Sequence, residues 1–254
     1  MGQMRPPAVK RYFDDTAKNY AAAYEHTRDL RSFIFQERKK IVFELFDVTH
    51  GTVLDIGCGP AVHTDRLTQL GCTVYGVDVS EEMISIARSK QFPKTTFLIG
   101  TIERLPFEGA AFDAVLCSGV LEYLENTEAA IREIVRVTKP RGTVIVTVPN
   151  GLSWLNKLDL GMRQMLRFAY ERLRIRALQS AMTHGYRPRY FSPKKLERLF
   201  AQQGLAVEEC RSHVFRLSFL NKIWPRLSLW VAQRMNFVSS PYWGINVVIR
   251  ARKV

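Results

Sequence analysis

The sequence has few of the features that mark secreted or membrane-spanning proteins. Its 254 residues contain four cysteines, scattered without a C-x-x-C pair or another metal-type spacing, so we predict neither a disulfide framework nor a metal site. No apolar segment follows a basic N-terminal start, and no stretch of about 18 uncharged apolar residues occurs. We therefore expect a cytoplasmic protein with a single domain, residues 1–254.

Acidic residues are scarce in the second part of the chain. Residues 1–150 contain 18 Lys and Arg against 19 Asp and Glu, whereas residues 151–254 contain 19 against 5. The overall charge of +13 therefore originates in residues 151–254. This asymmetry indicates an anionic substrate, an anionic membrane surface or nucleic acid as a partner. A basic surface that serves only solubility would give the same composition.

Apolar runs alternate with helical patterns after a segment, residues 8–47, that we predict to be helical. Five runs are typical of buried strands: residues 52–56, 73–77, 96–99, 113–117 and 143–148. Strands that are apolar on both faces and alternate with helices indicate an α/β fold with a mostly parallel sheet covered on both sides. Ligands bind such sheets beyond the carboxyl ends of the strands. Residues that follow the strands are therefore candidate site residues.

A glycine loop follows the first strand, and Asp78 closes the second. Gly57 and Gly59 allow a tight turn and a close approach of a ligand to the backbone. A carboxylate at the position of Asp78 can accept hydrogen bonds from both ribose hydroxyls. Val62 replaces the third glycine of the dinucleotide fingerprint, and Asp55 would repel a pyrophosphate. The pattern predicts a nucleoside ligand that carries an ammonium or sulfonium charge.

Four motifs resemble, in order, those of class I S-adenosylmethionine-dependent methyltransferases, in the subgroup similar to ubiquinone- and menaquinone-methylating enzymes. They are V-L-D-I-G-C-G-P at residues 53–60, V-D-V-S-E-E-M at 77–83, G-T-I-E-R-L-P-F at 100–107 and F-D-A-V-L-C-S-G-V-L-E-Y-L at 112–124. The resemblance implies a doubly wound, mostly parallel, seven-stranded Rossmann-like sheet. Its parts would be a helical N-terminal cap (1–47), a cofactor-binding core (50–150), a helical substrate lid after strand five (151–191) and the C-terminal part of the sheet (192–254).

The resemblance also implies which residues surround the methionine part of S-adenosylmethionine. The loop Gly57, Cys58 and Gly59 would lie along it, with Asp55 near its ammonium group. Cys117 would offer its backbone carbonyl to the same ammonium. These five positions are the expected methionine end of the cofactor site.

The nucleoside end would be formed by residues after the second and third strands. Asp78 would hold the ribose, Val79 and Met83 would press on the adenine, and Ile102 would offer its backbone to the ring. Thr101 departs from the family pattern, which has an aspartate there. Its hydroxyl can accept a hydrogen bond from the adenine amino group, but without a charge.

Candidate catalytic residues lie outside this core. His184 lies where relatives often carry a histidine in the loop over the substrate, so it is the candidate general base or substrate-orienting residue. Tyr186 and Tyr20 are alternatives that would line the pocket. His63 and His213 occur in no context that assigns them a role.

Two amphipathic segments occur in the basic part of the chain. Residues 158–173 carry an apolar stripe that we expect to pack on the core. In residues 215–236, apolar residues that include Trp224 share one helical face, while Lys222 and Arg226 fall opposite. This arrangement resembles an interfacial membrane helix, which would place the protein at the inner face of a membrane. A lid or dimer surface is the equal alternative.

The function expected from these observations is methyl transfer to a small, partly apolar, anionic or lipid-like metabolite, with oxygen favoured over carbon or nitrogen as acceptor. Two alternatives remain open. The basic part would permit an RNA methyltransferase, although no RNA-binding module and no N-P-P-Y motif occur. A non-catalytic nucleoside-binding protein would use the same fold. The sequence does not indicate the oligomeric state.

Overall fold

Seven β-strands form one mixed sheet in the computed structural model, which describes residues 6–25, 29–173, 189–214, 221, 224–235 and 243–254. The sheet order is β3-β2-β1-β4-β5-β7-β6, and β7 runs antiparallel to both of its neighbours. The mostly parallel seven-stranded sheet is therefore confirmed. Its strands are β1 (Thr52–Ile56), β2 (Thr73–Asp78), β3 (Thr95–Ile99), β4 (Phe112–Ser118), β5 (Thr138–Pro149), β6 (Leu205–His213) and β7 (Asn246–Lys253).

Helices cover both faces of this sheet, as the doubly wound arrangement requires. On β5, Val144 packs with Ile134 and Phe200 on one face, whereas Ile145 packs with Leu45 on the other, because successive strand residues point to opposite faces. The described helices are α1 (Pro6–Glu25), α2 (Leu30–Leu45), α3 (Thr64–Gln69), α4 (Glu81–Ser89), α5 (Thr127–Val137), α6 (Trp154–Leu173), α7 (Pro193–Gln202) and α8 (Pro225–Met235), with a 3₁₀ turn at Leu121–Tyr123.

The helical structure predicted for residues 8–47 is present as two helices, α1 and α2. Helix α2 has its own N-terminus, at which Asp29 forms a capping box. The Asp29 carboxylate accepts from the Ser32 backbone N–H at 2.8 Å, and the Ser32 hydroxyl accepts from the Asp29 N–H at 3.0 Å. These reciprocal bonds satisfy backbone donors that an uninterrupted helix would have paired internally.

At Leu158 and Met165 the predicted apolar stripe on α6 faces solvent, which corrects for these two positions the expectation that it packs on the core. Trp154, Leu158, Met165 and Phe168 are between 51% and 69% exposed. Their spacing places them on one side of the helix. The sequence pattern shows that a helix has an apolar face, but not whether the core or another surface covers it.

The functional edge of the sheet is the one where the parallel strands end. Because β7 is reversed, its first residue, Asn246, lies at this edge beside Pro149 at the end of β5 and His213 at the end of β6. Among the described residues, no helix is long and apolar enough to span a membrane.

Candidate functional site

A cavity of about 270 Å³ opens at the carboxyl ends of β1, β2 and β4. It occupies the crevice beside β1, where the strand order reverses: β2 and β3 lie on one side of β1, and β4 and β5 lie on the other. Doubly wound sheets bind ligands at this position. Eight of the residues predicted from the sequence line it together: Tyr20, Gly57, Gly59, Asp78, Val79, Met83, Thr101 and Ile102.

The glycine loop forms the floor of this cavity. Gly57 and Gly59 both adopt left-handed backbone angles, with φ of 66° and 52°, which glycine reaches without steric cost. A Cβ on Gly57 would lie 2.2 Å from a methyl group of Val120. The Gly57 and Cys58 N–H groups both donate to the Val77 carbonyl, at 2.7 and 3.2 Å. The loop is thus tied to β2 and leaves its backbone open to a ligand.

Asp78 links the glycine loop to the next helix. One carboxylate oxygen accepts from the Gly59 N–H and the other from the Ser80 N–H, both at 2.9 Å. Burial raises the pKa of Asp78, and the nearby Asp55 carboxylate adds to this rise against the lowering effect of the N–H donors. Each oxygen retains a lone pair, so the carboxylate can accept two further hydrogen bonds from a ligand.

Three predicted cofactor residues lie behind the cavity wall and do not line it. Asp55, Cys58 and Cys117 are fully buried. Burial raises the pKa of both thiols, with the neighbouring carboxylates adding to the rise, so neither cysteine is an activated nucleophile. Asp55 accepts a hydrogen bond from His63, whose ring nitrogen Nδ1 lies 3.1 Å from Oδ2, while its Oδ1 has no partner in the described structure.

Helix α1 covers the open side of the cavity. The Ser80 hydroxyl donates to Asp14 at 2.6 Å, which ties α1 to the start of α4. Phe13 and Tyr20 of α1 line the cavity, and the Phe13 ring packs edge-on against Tyr123 at 5.1 Å. This side of the cavity is therefore aromatic, in contrast to the polar glycine loop.

Sequence reasoning missed the buried cation in this region. Arg38 of α2 is 9% exposed and donates from Nη2 to the hydroxyls of Tyr20, at 3.3 Å, and Tyr24. Its Nη1 packs so tightly on Gly119, which lines the cavity, that a Cβ there would lie 2.6 Å away. No sequence signal identified Arg38, because its neighbours come from distant segments of the chain.

Two further buried ionisable groups lie near Arg38. Burial raises the pKa of Glu122 to about 7. Burial, together with the nearby Arg38 charge, lowers the pKa of His213 to about 3, and neither ring nitrogen of His213 has a hydrogen-bond partner in the described structure. The predicted catalytic residues His184 and Tyr186 lie outside the described residues.

Comparison with known sequences identifies the family of the central segment. A model of the methyltransferase domain matches residues 54–146. Over 170 residues, or 64% of the chain, the sequence is 31% identical to a mitochondrial ubiquinone biosynthesis O-methyltransferase of Rattus norvegicus, and this covers 46% of that protein. Over 130 residues, or 50% of the chain, it is 33% identical to a demethylmenaquinone methyltransferase of Tropheryma whipplei, covering 54% of it. The chain spans about half the length of these curated relatives.

Solved structures share the fold over almost the whole chain. A magnesium protoporphyrin IX methyltransferase from Synechocystis PCC 6803 with bound SAH superposes with a TM-score of 0.68 at 16% identity, covering 98% of this chain and 100% of that one. A possible histamine N-methyltransferase from Thermotoga maritima gives 0.64 at 22% identity, covering 96% and 99%. Residues 54–146 therefore carry a methyltransferase domain, and the chain shares the fold of these S-adenosylmethionine-dependent methyltransferases.

Proposed function

We propose that this protein transfers the methyl group of S-adenosylmethionine to a small, partly apolar acceptor that is anionic or lipid-like, with oxygen as the favoured acceptor atom. The observation that carries the proposal is the two-sided cavity. The glycine loop and Asp78 form its polar side, and Phe13, Tyr20 and Tyr123 form its aromatic side. A charged nucleoside fits the first side and an aromatic or isoprenoid acceptor fits the second.

The residues at the polar side match the cofactor group by group. Asp78 has two lone pairs for the ribose hydroxyls, and Val79, Met83 and Ile102 provide an apolar slot for the adenine. Thr101 lies at the same slot with a hydroxyl that can accept from the adenine amino group.

The methionine part of the cofactor carries an ammonium and a carboxylate, which need partners of opposite charge. The proposed acceptor for the ammonium is the unpartnered Oδ1 of Asp55; because Asp55 lies behind the cavity wall, this contact requires the glycine loop to shift when the cofactor binds. Arg38, buried directly behind Gly119 and bonded to the neutral phenols of Tyr20 and Tyr24, is the corresponding cation for the carboxylate. A buried guanidinium is stabilised by nearby anions, so a bound carboxylate would add to the interaction that Arg38 already has with Glu122.

The chemistry that the cofactor supplies is a methyl group already activated by the sulfonium charge. The protein therefore contributes mainly the alignment of acceptor and methyl group, and a base is needed only where the acceptor oxygen arrives protonated. Tyr20 lines the cavity, and its hydroxyl is held by the hydrogen bond from Arg38 and by a hydrogen bond with Tyr24. This favours Tyr20 as a residue that orients the acceptor, with His184 or Tyr186 as the proton acceptor.

Methyl transfer can be tested directly with three acceptors and the purified chain. The acceptors are a carboxylated phenol, the same phenol with an isoprenoid tail, and a reduced naphthoquinone whose open position is carbon. The proposal expects a methylated phenol and release of S-adenosylhomocysteine, both detected by mass spectrometry, with the tailed phenol preferred. Methylation of the naphthoquinol alone would move the acceptor atom to carbon. Methylation of RNA with no reaction of any small acceptor would overturn the proposal.

We also propose that the basic part of the chain attaches the protein to an anionic membrane. On α8, Leu227 and Trp230 are exposed, and they share the solvent side with Arg226 and Arg234. The Arg234 guanidinium lies 5.8 Å from the centre of the Trp230 ring. Exposed tryptophan beside arginine suits the boundary between lipid head groups and acyl chains.

Liposome flotation tests this attachment with a matched pair of double variants. Replacing both Arg226 and Arg234 with glutamine should weaken binding to anionic vesicles roughly thirtyfold, since each cation near the surface contributes ~1 kcal/mol. Lys194→Gln with Lys195→Gln removes the same charge from an exposed part of α7 and should have little effect. Equal loss in both double variants would show that only net charge matters, and no binding at low salt would refute the proposal.

A further inference from the structure

A hydrogen-bonded pair lies buried behind the glycine loop. Asp55 is 0% and His63 is 2% exposed, and His63 Nδ1 lies 3.1 Å from Asp55 Oδ2. The second polar atom of each side chain, Oδ1 of Asp55 and Nε2 of His63, is buried without a hydrogen-bond partner in the described structure. An ionised carboxylate only accepts hydrogen bonds, so with Asp55 in that form the donor in this bond is Nδ1–H of His63.

The chain joins these two residues through the loop that forms the cavity floor. Asp55 lies on β1 and His63 is the N-cap residue of α3, so the glycine loop is the segment between them. Their hydrogen bond therefore closes this loop from behind. The His63 ring is held in turn by an edge-on contact with Phe43, 6.0 Å between ring centres. Since Phe43 belongs to α2, the ring is fixed by a second helix.

We infer that His63 is a positioning residue for the methionine end of the cofactor site. By donating to Oδ2 it holds the Asp55 carboxylate in one orientation and leaves Oδ1 as the acceptor for an ammonium group. A buried carboxylate oxygen without a partner is unfavourable, and a ligand ammonium would remove that penalty. The inference rests on the proposed function, in which Asp55 receives this ammonium.

A purely structural role for His63 predicts a different outcome, and two nucleosides separate the two roles. S-adenosylhomocysteine carries the ammonium group, whereas 5′-methylthioadenosine has the same ribose, adenine and sulfur without the amino-acid part. Loss of loop structure would weaken both ligands alike. Loss of the Asp55 orientation would weaken S-adenosylhomocysteine alone.

The test measures the dissociation constants of both nucleosides by calorimetry for His63→Phe, which keeps an aromatic ring at this position but has neither ring nitrogen. We expect S-adenosylhomocysteine to bind about 10- to 100-fold more weakly, the usual range for a lost hydrogen bond to a charged group, while 5′-methylthioadenosine stays unchanged. His63→Asn places an amide N–H at the position of Nδ1 and should restore most of the affinity. His50→Phe, an exposed histidine outside the cavity, is the matched control.

A double variant supplies the decisive comparison. If His63 acts through Asp55, the variant that combines Asp55→Asn with His63→Phe should bind S-adenosylhomocysteine no more weakly than Asp55→Asn alone. Additive losses, equal weakening of both nucleosides, or an unchanged affinity in His63→Phe would each overturn the inference while leaving the proposed function intact. A wild-type protein that binds neither nucleoside would overturn the proposed function, and this inference with it.

Discussion

Removing the Asp78 carboxylate should weaken every ligand that carries the cofactor's ribose. The carboxylate lines the cavity and already accepts from the Gly59 and Ser80 N–H groups at 2.9 Å each. In Asp78→Ala the two ribose hydroxyls lose a charged acceptor, and a hydrogen bond of that kind contributes about 1.5–3 kcal/mol. The dissociation constant should therefore rise by about one to two decades.

The same substitution should also lower stability, because it leaves the Gly59 and Ser80 N–H groups without their acceptor. An unsatisfied buried donor costs about 1–3 kcal/mol, and each kcal/mol lowers Tm by about 2–4 °C in a chain of this size. Asp113→Ala is the matched control, since that carboxylate accepts from the Thr52 N–H at 2.8 Å at the start of β4, away from the cavity. It should lose stability without losing affinity.

Calorimetry with S-adenosylhomocysteine and 5′-methylthioadenosine measures the binding effect, and thermal unfolding without ligand measures the stability effect. Because the ribose is common to both nucleosides, Asp78→Ala should weaken both equally, unlike His63→Phe. The raised pKa of Asp78 adds a pH test. Affinity for both nucleosides should fall as the pH is lowered, because this carboxyl becomes protonated. Wild-type affinity in Asp78→Ala, or a loss that Asp113→Ala reproduces, would refute the assignment of Asp78 to the ribose.

Two further predictions concern stability and pH. The folded pKa of His213 is about 3, against about 6.5 in the unfolded chain, so on acidification the unfolded chain binds this proton at a higher pH than the folded chain. The contribution of His213 to stability should therefore be complete above pH 6.5 and fall on acidification, by about 2 kcal/mol at pH 5. Urea unfolding of His213→Phe should lack this loss, and an equal loss in both proteins would contradict it. The folded pKa of Glu122 is about 7, against about 4.3 in the unfolded chain, so the folded chain keeps this proton to a higher pH. The contribution of Glu122 to stability should be complete below pH 4 and lost as the pH rises through 7, by about 4 kcal/mol in all. Glu122→Gln should therefore gain stability relative to the wild type between pH 5 and pH 8, and a constant difference would exclude the raised pKa.

Long-range packing accounts for the site residues that the sequence could not indicate. Arg38 comes from α2, Gly119 from the turn after β4 and His213 from the end of β6. Each looks ordinary in its local segment, because the charge and burial that distinguish it depend on neighbours far away in the chain. His63 is a similar case, since its partner Asp55 lies across a loop whose shape depends on the left-handed glycines.

The sequence by itself determined the parallel sheet and the positions of Gly57, Gly59 and Asp78 at its carboxyl edge. Strand runs, glycine turns and N-caps are local signals that do not depend on the rest of the fold. Only the tertiary structure decided that Leu158 and Met165 of the α6 stripe face outward and that Arg38 is buried beside the cavity. An amphipathic pattern identifies an apolar face, but what covers that face depends on how distant segments pack together.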